Sequence, residues 1–471
     1  MQGKFRDIVS DSDYLILENL ISQDHFLIRV NQHIDFSFIN VLTESCYSPN
    51  NGRPSISPET YFRMMLIGYL FAIRSNRRLV EEVRYNISYR WFCGIPLDSP
   101  VPHHSSLSRL KKRVSVNQFQ AFFDEIVKQC RQVGLLASKS IMTDSTLFQA
   151  NASLNSMVLK SGIDDTSEEG ERGIKPPKRT ISNKTHQSNT DPDASLAFKA
   201  GTPRTLKYKA HVCSDSQSRV ILDIKITTGA VHDSQPYLEQ ITSLKSRLQH
   251  DIIEAIADRG YGSGYIISSL QSAKITAYIP LFSTRSGGSQ RTVTPGFRYD
   301  LERNIYHCPA NHELKPGKTL ENDYVLYHSS VKNCRDCPIQ AACEAPKKQN
   351  RDIRVISRHV HFELFQQVKL NMETKLFKQK LTERLSRIES IMNELKNYHG
   401  LSKARYRGID NVQIQAYMAA IAINIKRIVF SLLFCRYLII LLKMKSPFST
   451  GRTFYLFKLL FCSDLIFNYI Q

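Results

Sequence analysis

The sequence predicts an α/β protein with an all-helical N-terminal domain, and three observations support this fold class. Residues 1–137 contain short amphipathic stretches separated by polar segments, which indicates helices. From residue 138 onward, runs rich in branched and aromatic residues indicate strands. A helix predicted over 234–248 separates the first three strands from later ones. This order is typical of a sheet with mixed strand directions.

Three helices of the N-terminal domain have start signals in the sequence. Ser57-Pro58-Glu59 supplies a cap, a proline for the first turn and an acid for the positive helix end. A second helix is predicted to begin near Ser75, and a third over 106–114 with Ser105 as its cap. The third carries the basic side chains Arg109, Lys111, Lys112 and Arg113. Both a helix-turn-helix-like DNA module and a helical bundle with a solvated basic face account for this pattern.

Five strands are predicted after the helical domain, and they are interrupted twice. The strands are 141–146, 208–213, 220–228, 252–257 and 275–280. We expect the helix over 234–248 to be capped by Asp233 or Ser234. A long helix, with or without a break, is predicted to begin near His359 and to run through Asn397.

The predicted domains follow these changes of pattern. They are a helical DNA-binding domain (1–137), the first part of the α/β core (138–282), a polar and mobile insertion within it (154–205), a cysteine-bearing insertion (283–358), the helical end of the core (359–445) and a tail without assignment (446–471).

Charge and length restrict the class of protein. The 471 residues favour two to four domains. The net charge of +20 is spread along the chain and favours a broad surface that faces nucleic-acid phosphates, although a merely basic soluble protein is the alternative.

The two ends of the chain suggest an intracellular protein without a membrane span. No apolar signal segment precedes the first acidic residues, so we expect a cytoplasmic location. The apolar run 428–442 is shorter than the roughly 18 residues that a membrane span requires, and it contains Arg436. We therefore expect a buried helix there.

Two aspartates are predicted to present their carboxylates at the ends of strands. Apolar strand residues precede Asp144. Asp258 follows a run of mostly apolar residues and precedes a glycine-rich segment. If the two strands are neighbours, the two carboxylates reach one or two hard cations. Without a cation or proton between them, such carboxylates repel one another.

A third acid is predicted on the long helix. Glu389 lies seven residues before Lys396, which is two turns on one helix face. Asp233 is interpreted as a helix cap, and Glu383 and Glu394 compete with Glu389 for the third position. Any one of these acids taken alone is explained as well by a turn or a cap.

Four of the ten cysteines are clustered in the predicted insertion. They are Cys308, Cys334, Cys337 and Cys343, with His312 as a substitute ligand. A structural zinc site and a set of reduced thiols both explain the spacing. The cluster is not the site of a catalytic Mg²⁺, because thiolates suit zinc whereas Mg²⁺ prefers oxygen ligands.

The chain resembles the DDE transposases of bacterial insertion sequences over residues from about 54 to 427. The segments that carry this resemblance are Arg90-Trp-Phe-Cys-Gly94, His104-Ser-Ser-Leu-Ser-Arg109, Asp191-Pro-Asp-Ala194, Tyr208-Lys-Ala-His211, Ala257-Asp-Arg-Gly-Tyr261, and Arg405-Tyr-Arg-Gly408 with Asn424.

The resemblance implies an RNase H-like core in which Asp144, Asp258 and Glu389 bind two Mg²⁺ or Mn²⁺ ions for DNA cleavage and strand transfer. The implied partners are double-stranded DNA, as element ends and target, and a second copy of the chain when two ends are paired. The residues expected to contact DNA are Lys396, Arg405, Arg407, Lys209, Arg109, Lys111 and Lys112, with His211 beside them.

The segment before Glu389 departs from the family pattern. Related transposases carry a Tyr and an Arg at fixed spacings before the glutamate, where this chain has Thr382 and Leu385, with Arg384 and Arg387 beside them. Two further functions therefore stay open. One is a catalytically inactive, transposase-derived DNA-binding protein, and the other is a structure-specific nuclease with the same core.

Overall fold

The structure, a computed structural model, describes most of the chain in two compact units. The described residues are 1–5, 18–52, 55–161, 181–198, 201, 203–281, 294–321, 323–347 and 353–444, with 436–444 as backbone only. The first unit comprises Met1–Glu254 and Glu383–Gln471, and the second comprises Ala255–Thr382. The tail prediction for 446–471 lies outside the described residues.

The N-terminal part of the first unit is helical, as predicted. Its helices are α1 Phe26–His33, α2 Phe38–Thr43, α3 Pro58–Leu70, α4 Asn76–Tyr85, α5 Ile87–Phe92, α6 His104–Arg113 and α7 Val116–Gln132. The predicted starts of α3 and α4 are confirmed, with Ser57 and Ser75 as N-caps. The cap predicted for α6 is wrong, because the His103 side chain, and not Ser105, accepts the hydrogen bond of the first turn.

The sheet of the first unit is an antiparallel meander. Its elements are β1 Ser140–Gln149, β2 Met157–Leu159, β3 His186–Ser188, β4 Ser195–Ala197, β5 Thr205–Asp215, β6 Ile221–Thr228 and then helix α8 Tyr237–Leu248. β5 pairs with β1 along one edge and with β4 and β6 along the other. β2 and β3 form a separate pair. The predicted order of meander and helix is confirmed.

Two details of this region differ from the prediction. α8 begins after Pro236. The Asp233 carboxylate does not cap this helix and instead accepts from the Lys209 ammonium at 2.7 Å. The insertion predicted as mobile over 154–205 contains strands in its described parts, where Ser188 and Asp191 are fully buried. These polar residues are ordered because they have hydrogen-bond partners within the fold.

The second unit contains a small antiparallel sheet. In chain order, the elements of this unit are β7 Glu254–Ile256, α9 Gly264–Ser272, β8 Thr276–Tyr278, β9 Arg298–Asp300, β10 Ile305–His307, β11 Glu313–Thr319, β12 Tyr324–His328, α10 Val331–Arg335, β13 Val355–His359 and α11 Phe362–Glu373. The first residue of β7, Glu254, belongs to the first unit. The sheet has the order β13-β12-β11-β10-β9. The clustered cysteines lie outside its strands, in the β10–β11 hairpin, in α10 and in the segment between α10 and β13.

The predicted long helix is present and contains breaks. α12 spans Lys375–Asn393, a π-helical turn spans Glu394–Tyr398, and α13 spans Ile409–Met444. The buried helix expected over 428–442 begins earlier than predicted. Ile409–Cys435 is long and apolar enough to cross a membrane, but 61% of its most apolar window is buried inside the protein. In the first unit α13 packs against α7 and β6, as a core helix does.

Side chains from distant segments fix α13 in place. At its N-terminus, the Asp191 carboxylate accepts from the Gly408 N–H at 3.1 Å and from the Tyr208 hydroxyl at 2.7 Å. The Asp193 carboxylate accepts from the Ile409 N–H at 2.9 Å. Acids at a helix N-terminus satisfy free N–H groups and oppose the positive end of the dipole.

Candidate active site and DNA-facing residues

Asp144 lies on β1 beside a buried arginine. One carboxylate oxygen accepts from the Ser145 N–H at 2.7 Å, and the other is 2.9 Å from Nη2 of Arg384. The Arg384 side chain is 6% exposed, and its Nε donates to the Thr143 carbonyl at 3.2 Å. A cationic group therefore already neutralises the Asp144 carboxylate, which shows that this position accommodates positive charge.

The prediction that Asp144 lies at the end of a strand is wrong. β1 has 10 residues, of which Asp144 is the fifth. The strand continues because Ser145 to Gln149 also pair with β5, where His211 lies opposite Ser145. The carboxylate therefore projects from the middle of an antiparallel ladder, where the backbone on both sides of it is fixed.

Glu389 lies on the exposed side of α12. The buried side of this helix and of the following turn is formed by Arg384, Ile388, Ile391 and Leu395. Five residues separate Arg384 from Glu389, which turns the two side chains about 140° apart around the helix. Of these two side chains, the helix presents Arg384 to Asp144 and Glu389 to solvent.

Lys396 lies on the π-helical turn that follows α12. The expectation that it lies in line with Glu389 assumed a regular α-helix through Asn397. A π-helical turn is wider than an α-helical turn, so it changes the angular position of every residue after Asn393. The seven positions from Glu389 to Lys396 therefore do not correspond to two regular α-helical turns.

In the second unit, Asp258 directly follows a buried strand. Ala255, Ile256 and Ala257 are fully buried, and Asp258 itself is half-buried. Its carboxylate caps the short 3₁₀ turn Arg259–Tyr261 by accepting from the Gly260 N–H at 2.8 Å. The predicted position after a strand is confirmed.

The donor chemistry of the three acids suits a hard cation. Carboxylate oxygens are the ligands that Mg²⁺ and Mn²⁺ prefer. One carboxylate oxygen of Asp144 already contacts a cation, the Arg384 guanidinium. The three acids therefore suit such ions by the type of ligand atom that they offer. Among the described residues, no three His, Cys, Asp or Glu side chains are grouped closely enough to hold a metal ion.

A polar cluster that the sequence did not predict lies in the first unit around Ser145, on the face of the β1–β5 ladder opposite to the Asp144 side chain. The Lys209 ammonium donates to the Asp233 carboxylate and to the Val231 carbonyl, both at 2.7 Å. Burial raises the pKa of Asp233, but hydrogen bonds from Lys209 and Ser145 bring it below its usual value. Burial lowers the pKa of His211 to about 4. The signal in the sequence was the alternation of Lys209 and His211 along a strand, which places both side chains on one face.

Three of the residues predicted to contact DNA have partners within the first unit. The Lys111 ammonium lies 3.2 Å from the centroid of the Tyr406 ring, and burial lowers its pKa to about 8. The Arg405 guanidinium lies over the Tyr69 ring at 4.6 Å, and Lys209 is paired with Asp233. Each of these three side chains therefore has a partner inside the unit, and its contact with DNA stays a prediction.

The other predicted DNA contacts differ in exposure. Arg109 and Lys112 on α6, and Arg407 before α13, are exposed, whereas Lys396 is half-buried. The Arg109 guanidinium donates to the Ser105 hydroxyl at 3.1 Å, and Arg407 donates to the Asn151 carbonyl at 3.2 Å. Exposed guanidinium and ammonium groups of this kind can reach a phosphate backbone.

Two family models match the chain. A transposase domain (DUF772) matches residues 15–113, which include the N-terminal helices, and a transposase DDE domain matches residues 307–429. These matches identify the chain as a transposase. The second match assigns it to the DDE transposases. Glu389 lies inside that match, whereas Asp144 and Asp258 lie outside both.

Weak similarities to solved structures accompany these matches. The piggyBac transposase synaptic complex with hairpin DNA is 10% identical, with 96% of this chain and 86% of that chain covered and a TM-score of 0.29. The Mos1 transposase paired-end complex with the left transposon end is 11% identical, with 49% and 61% covered and a TM-score of 0.16. A Mos1 mariner paired-end complex with Mn is also 11% identical, with 57% and 72% covered and a TM-score of 0.16. No curated protein matches the chain.

Proposed function

We propose that this transposase binds the terminal inverted repeats of its own insertion sequence in the bacterial cytoplasm, cleaves the DNA there and transfers the strands to a target. Asp144, Asp258 and Glu389 would hold two Mg²⁺ or Mn²⁺ ions. The observation that carries this assignment is the Arg384 guanidinium 2.9 Å from Asp144, since it marks a cation position on β1. The DDE match over the helix that bears Glu389 supports the third ligand.

The order of elements supports an RNase H-like core as part of this proposal. An antiparallel meander of β1, β5 and β6 precedes α8, and the chain then returns as β7. The Ile253 and Glu254 N–H groups donate to the Lys139 carbonyl, next to the start of β1, at 2.8 and 3.2 Å. Both bonds lie within the first unit and join the segment that leads into β7 to the residue before β1.

The residues of the chain have separate tasks in this mechanism. Divalent ions, when bound, supply activation of the attacking oxygen and stabilisation of the leaving oxygen. The β1–β5 ladder fixes the backbone of Asp144, and Arg384 orients its carboxylate. Arg109, Lys112 and Arg407 would contact DNA phosphates, and Lys396 would contact a phosphate near Glu389. A second copy of the chain would bring the other element end, which makes a homodimer the active assembly.

The test uses purified full-length protein with Mg²⁺ or Mn²⁺ and labelled DNA that carries the element ends. Wild type, Asp144→Ala, Asp258→Ala and Glu389→Ala are compared with Asp251→Ala, which changes an exposed acid paired with Lys139. We expect cleavage by wild type and by Asp251→Ala, a loss of at least about 100-fold in the other three, and unchanged binding of the ends.

Other outcomes would contradict this assignment. End binding without cleavage by wild type would indicate an inactive DNA-binding protein. Cleavage of branched or RNA-containing substrates regardless of end sequence would indicate a structure-specific nuclease. Full cleavage by any one of the three variants would remove that acid from the site.

A further inference from the structure

One small cavity of the second unit is lined by four cysteines. Cys308, Cys334, Cys337 and Cys343 line a cavity of about 20 Å³, together with both apolar and polar side chains. All four are free thiols and half-buried. They come from three segments of the chain: the β10–β11 hairpin, the region of α10 and the loop before β13. The sulfurs are not grouped closely enough in the structure to hold an ion. Free thiols from separate segments that line one cavity nevertheless have the donor chemistry of a structural zinc site.

The turn that carries Cys308 directs a backbone N–H at its sulfur. The Cys308 N–H donates to the His312 carbonyl at 3.0 Å, and the His312 N–H donates to the Cys308 Sγ at 3.3 Å. Asn311, with a φ of 62°, closes this turn in the left-handed region. A neutral thiol is a weak acceptor, whereas a metal-bound thiolate is a strong one. The turn is therefore built to support a thiolate at Cys308.

The sheet around the cavity has a small core of its own. Its buried cluster consists of Phe297, Tyr306, Leu314, Tyr327, Ala345 and Ile356. Cys308 and Cys343 pack against this cluster. Small sheets with few buried side chains usually need a disulfide or a metal ion as an additional cross-link. A cross-link at this cavity would join the hairpin, α10 and the β13 loop to the core.

We propose that the four thiolates bind one Zn²⁺ ion tetrahedrally as a structural site. Four thiols would release four protons and form a complex of net charge −2. In the structure the sulfurs line the cavity without meeting at one point, and Cys334 donates to the Ser329 hydroxyl at 3.0 Å. Binding would turn Cys334 from that hydroxyl and draw each sulfur to about 2.3 Å from the ion.

The Arg354 guanidinium, at the wall of the cavity, would partly neutralise the net negative charge of the zinc–thiolate complex. Arg354 lines the cavity, and its guanidinium donates to the Ala345 and Gln340 carbonyls at 2.8 and 2.9 Å. With four protein sulfurs as ligands, no coordination position is left for a substrate, so the ion would stabilise the fold without taking part in DNA cleavage.

The test is metal analysis of the purified full-length protein. We expect one zinc ion per chain in wild type, and loss of zinc in Cys308→Ser, Cys334→Ser, Cys337→Ser and Cys343→Ser. The control is Cys46→Ser, which changes a half-buried free cysteine of the first unit and should retain zinc. Absence of zinc from wild type, or unchanged zinc in the four variants, would overturn the proposal. Zinc that is lost in His312→Ala and kept in Cys343→Ser would overturn this ligand set.

A second measurement avoids variants that fail to fold. Wild type loaded with Co²⁺ should show intense sulfur-to-metal charge transfer and the visible bands of a tetrahedral four-thiolate site. A spectrum without thiolate bands would overturn the proposal. So would titration of the denatured, metal-stripped protein that finds fewer than the 10 cysteines of the chain as free thiols, because disulfides would then replace the metal. Zinc content does not depend on DNA cleavage, so Asp144→Ala should retain zinc. The zinc proposal and the proposed transposase activity can therefore fail independently of each other.

Discussion

At the scale of single residues, the pair of Asp144 and Arg384 decides how the first acid is presented. A buried guanidinium is costly unless it is paired, and here it has the Asp144 carboxylate and the Thr143 carbonyl as partners. The same guanidinium competes with a divalent cation for the carboxylate oxygen. Arg384 is therefore a positioning residue that also sets how tightly a cation can bind.

We expect Arg384→Gln to lower the Mn²⁺ concentration needed for half-maximal cleavage by about fivefold, which corresponds to about 1 kcal/mol for the lost competing charge. Glutamine can still donate to the Thr143 carbonyl, so the helix should remain packed. The measurement is the cleavage rate at increasing Mn²⁺ concentration.

The matched control for this change is Arg387→Gln, on the same helix. The Arg387 side chain donates to the Ser216 carbonyl and has no contact with Asp144 among those described. Its variant should keep the wild-type metal midpoint. If both variants shift the midpoint equally, or neither does, Arg384 acts only as a structural residue.

At the scale of elements, α13 closes the free edge of β6 with two amide side chains. The Gln413 amide accepts from the Ile226 N–H and donates to the Ile224 carbonyl, both at 2.7 Å. The Asn424 amide does the same with the N–H and carbonyl of Ile221, both at 2.9 Å. Eleven residues are about three helical turns, so both amides lie on one face of α13. A strand edge that would otherwise stay unpaired is satisfied by a helix.

We expect Asn424→Ala to lower the free energy of unfolding by about 2–4 kcal/mol, because the change leaves both polar groups of Ile221 buried and unpaired. Urea denaturation followed by circular dichroism measures the effect. Asp410→Ala, which changes an exposed residue of the same helix, is the control and should cost less than about 0.5 kcal/mol. A similar cost for the two variants would show that the amide does not seal the strand.

At the scale of the whole molecule, buried histidines make stability depend on pH. Burial lowers the pKa of His399 to about 3 and that of His211 to about 4. The ring of His399 lies between the Tyr69 carbonyl, 2.9 Å from Nδ1, and the Lys426 ammonium, 3.4 Å from Nε2. A protonated ring would therefore lie beside another cation.

The folded-state pKa values lie below the unfolded value of about 6.5, so the unfolded chain binds more protons in acid. The contribution of each histidine is complete above about pH 6.5 and is lost as the pH falls toward the folded-state pKa. Asp223 acts in the opposite direction in part of this range, because burial raises its pKa to about 6. A comparison of variants is therefore needed to isolate one histidine.

Between pH 7.5 and pH 5.5, we expect the free energy of unfolding to fall in wild type by about 1.4 kcal/mol more than it falls in His399→Gln. Urea midpoints at the two pH values measure the difference. His232→Gln, at an exposed histidine, should keep the wild-type dependence. Equal pH dependence in wild type and His399→Gln would contradict the assignment.

Local patterns in the sequence predicted much of the fold and of the class of protein. The helix start after Ser57, the cap at Ser75, the strand meander followed by a helix, and the position of Asp258 after a strand are all confirmed. These features depend on residues a few positions apart, which share one turn or one strand face. The order of short motifs also indicated a DDE transposase, which the family matches support.

Only the tertiary structure showed which charges meet. The sequence placed Asp144 at a strand end and treated Lys209, Lys111 and Arg405 as DNA contacts, whereas the fold gives Asp144 a buried arginine and gives each of the three basic residues an internal partner. These partners are far apart along the chain. Packing decides which distant side chains become neighbours, and neither periodicity nor composition records that.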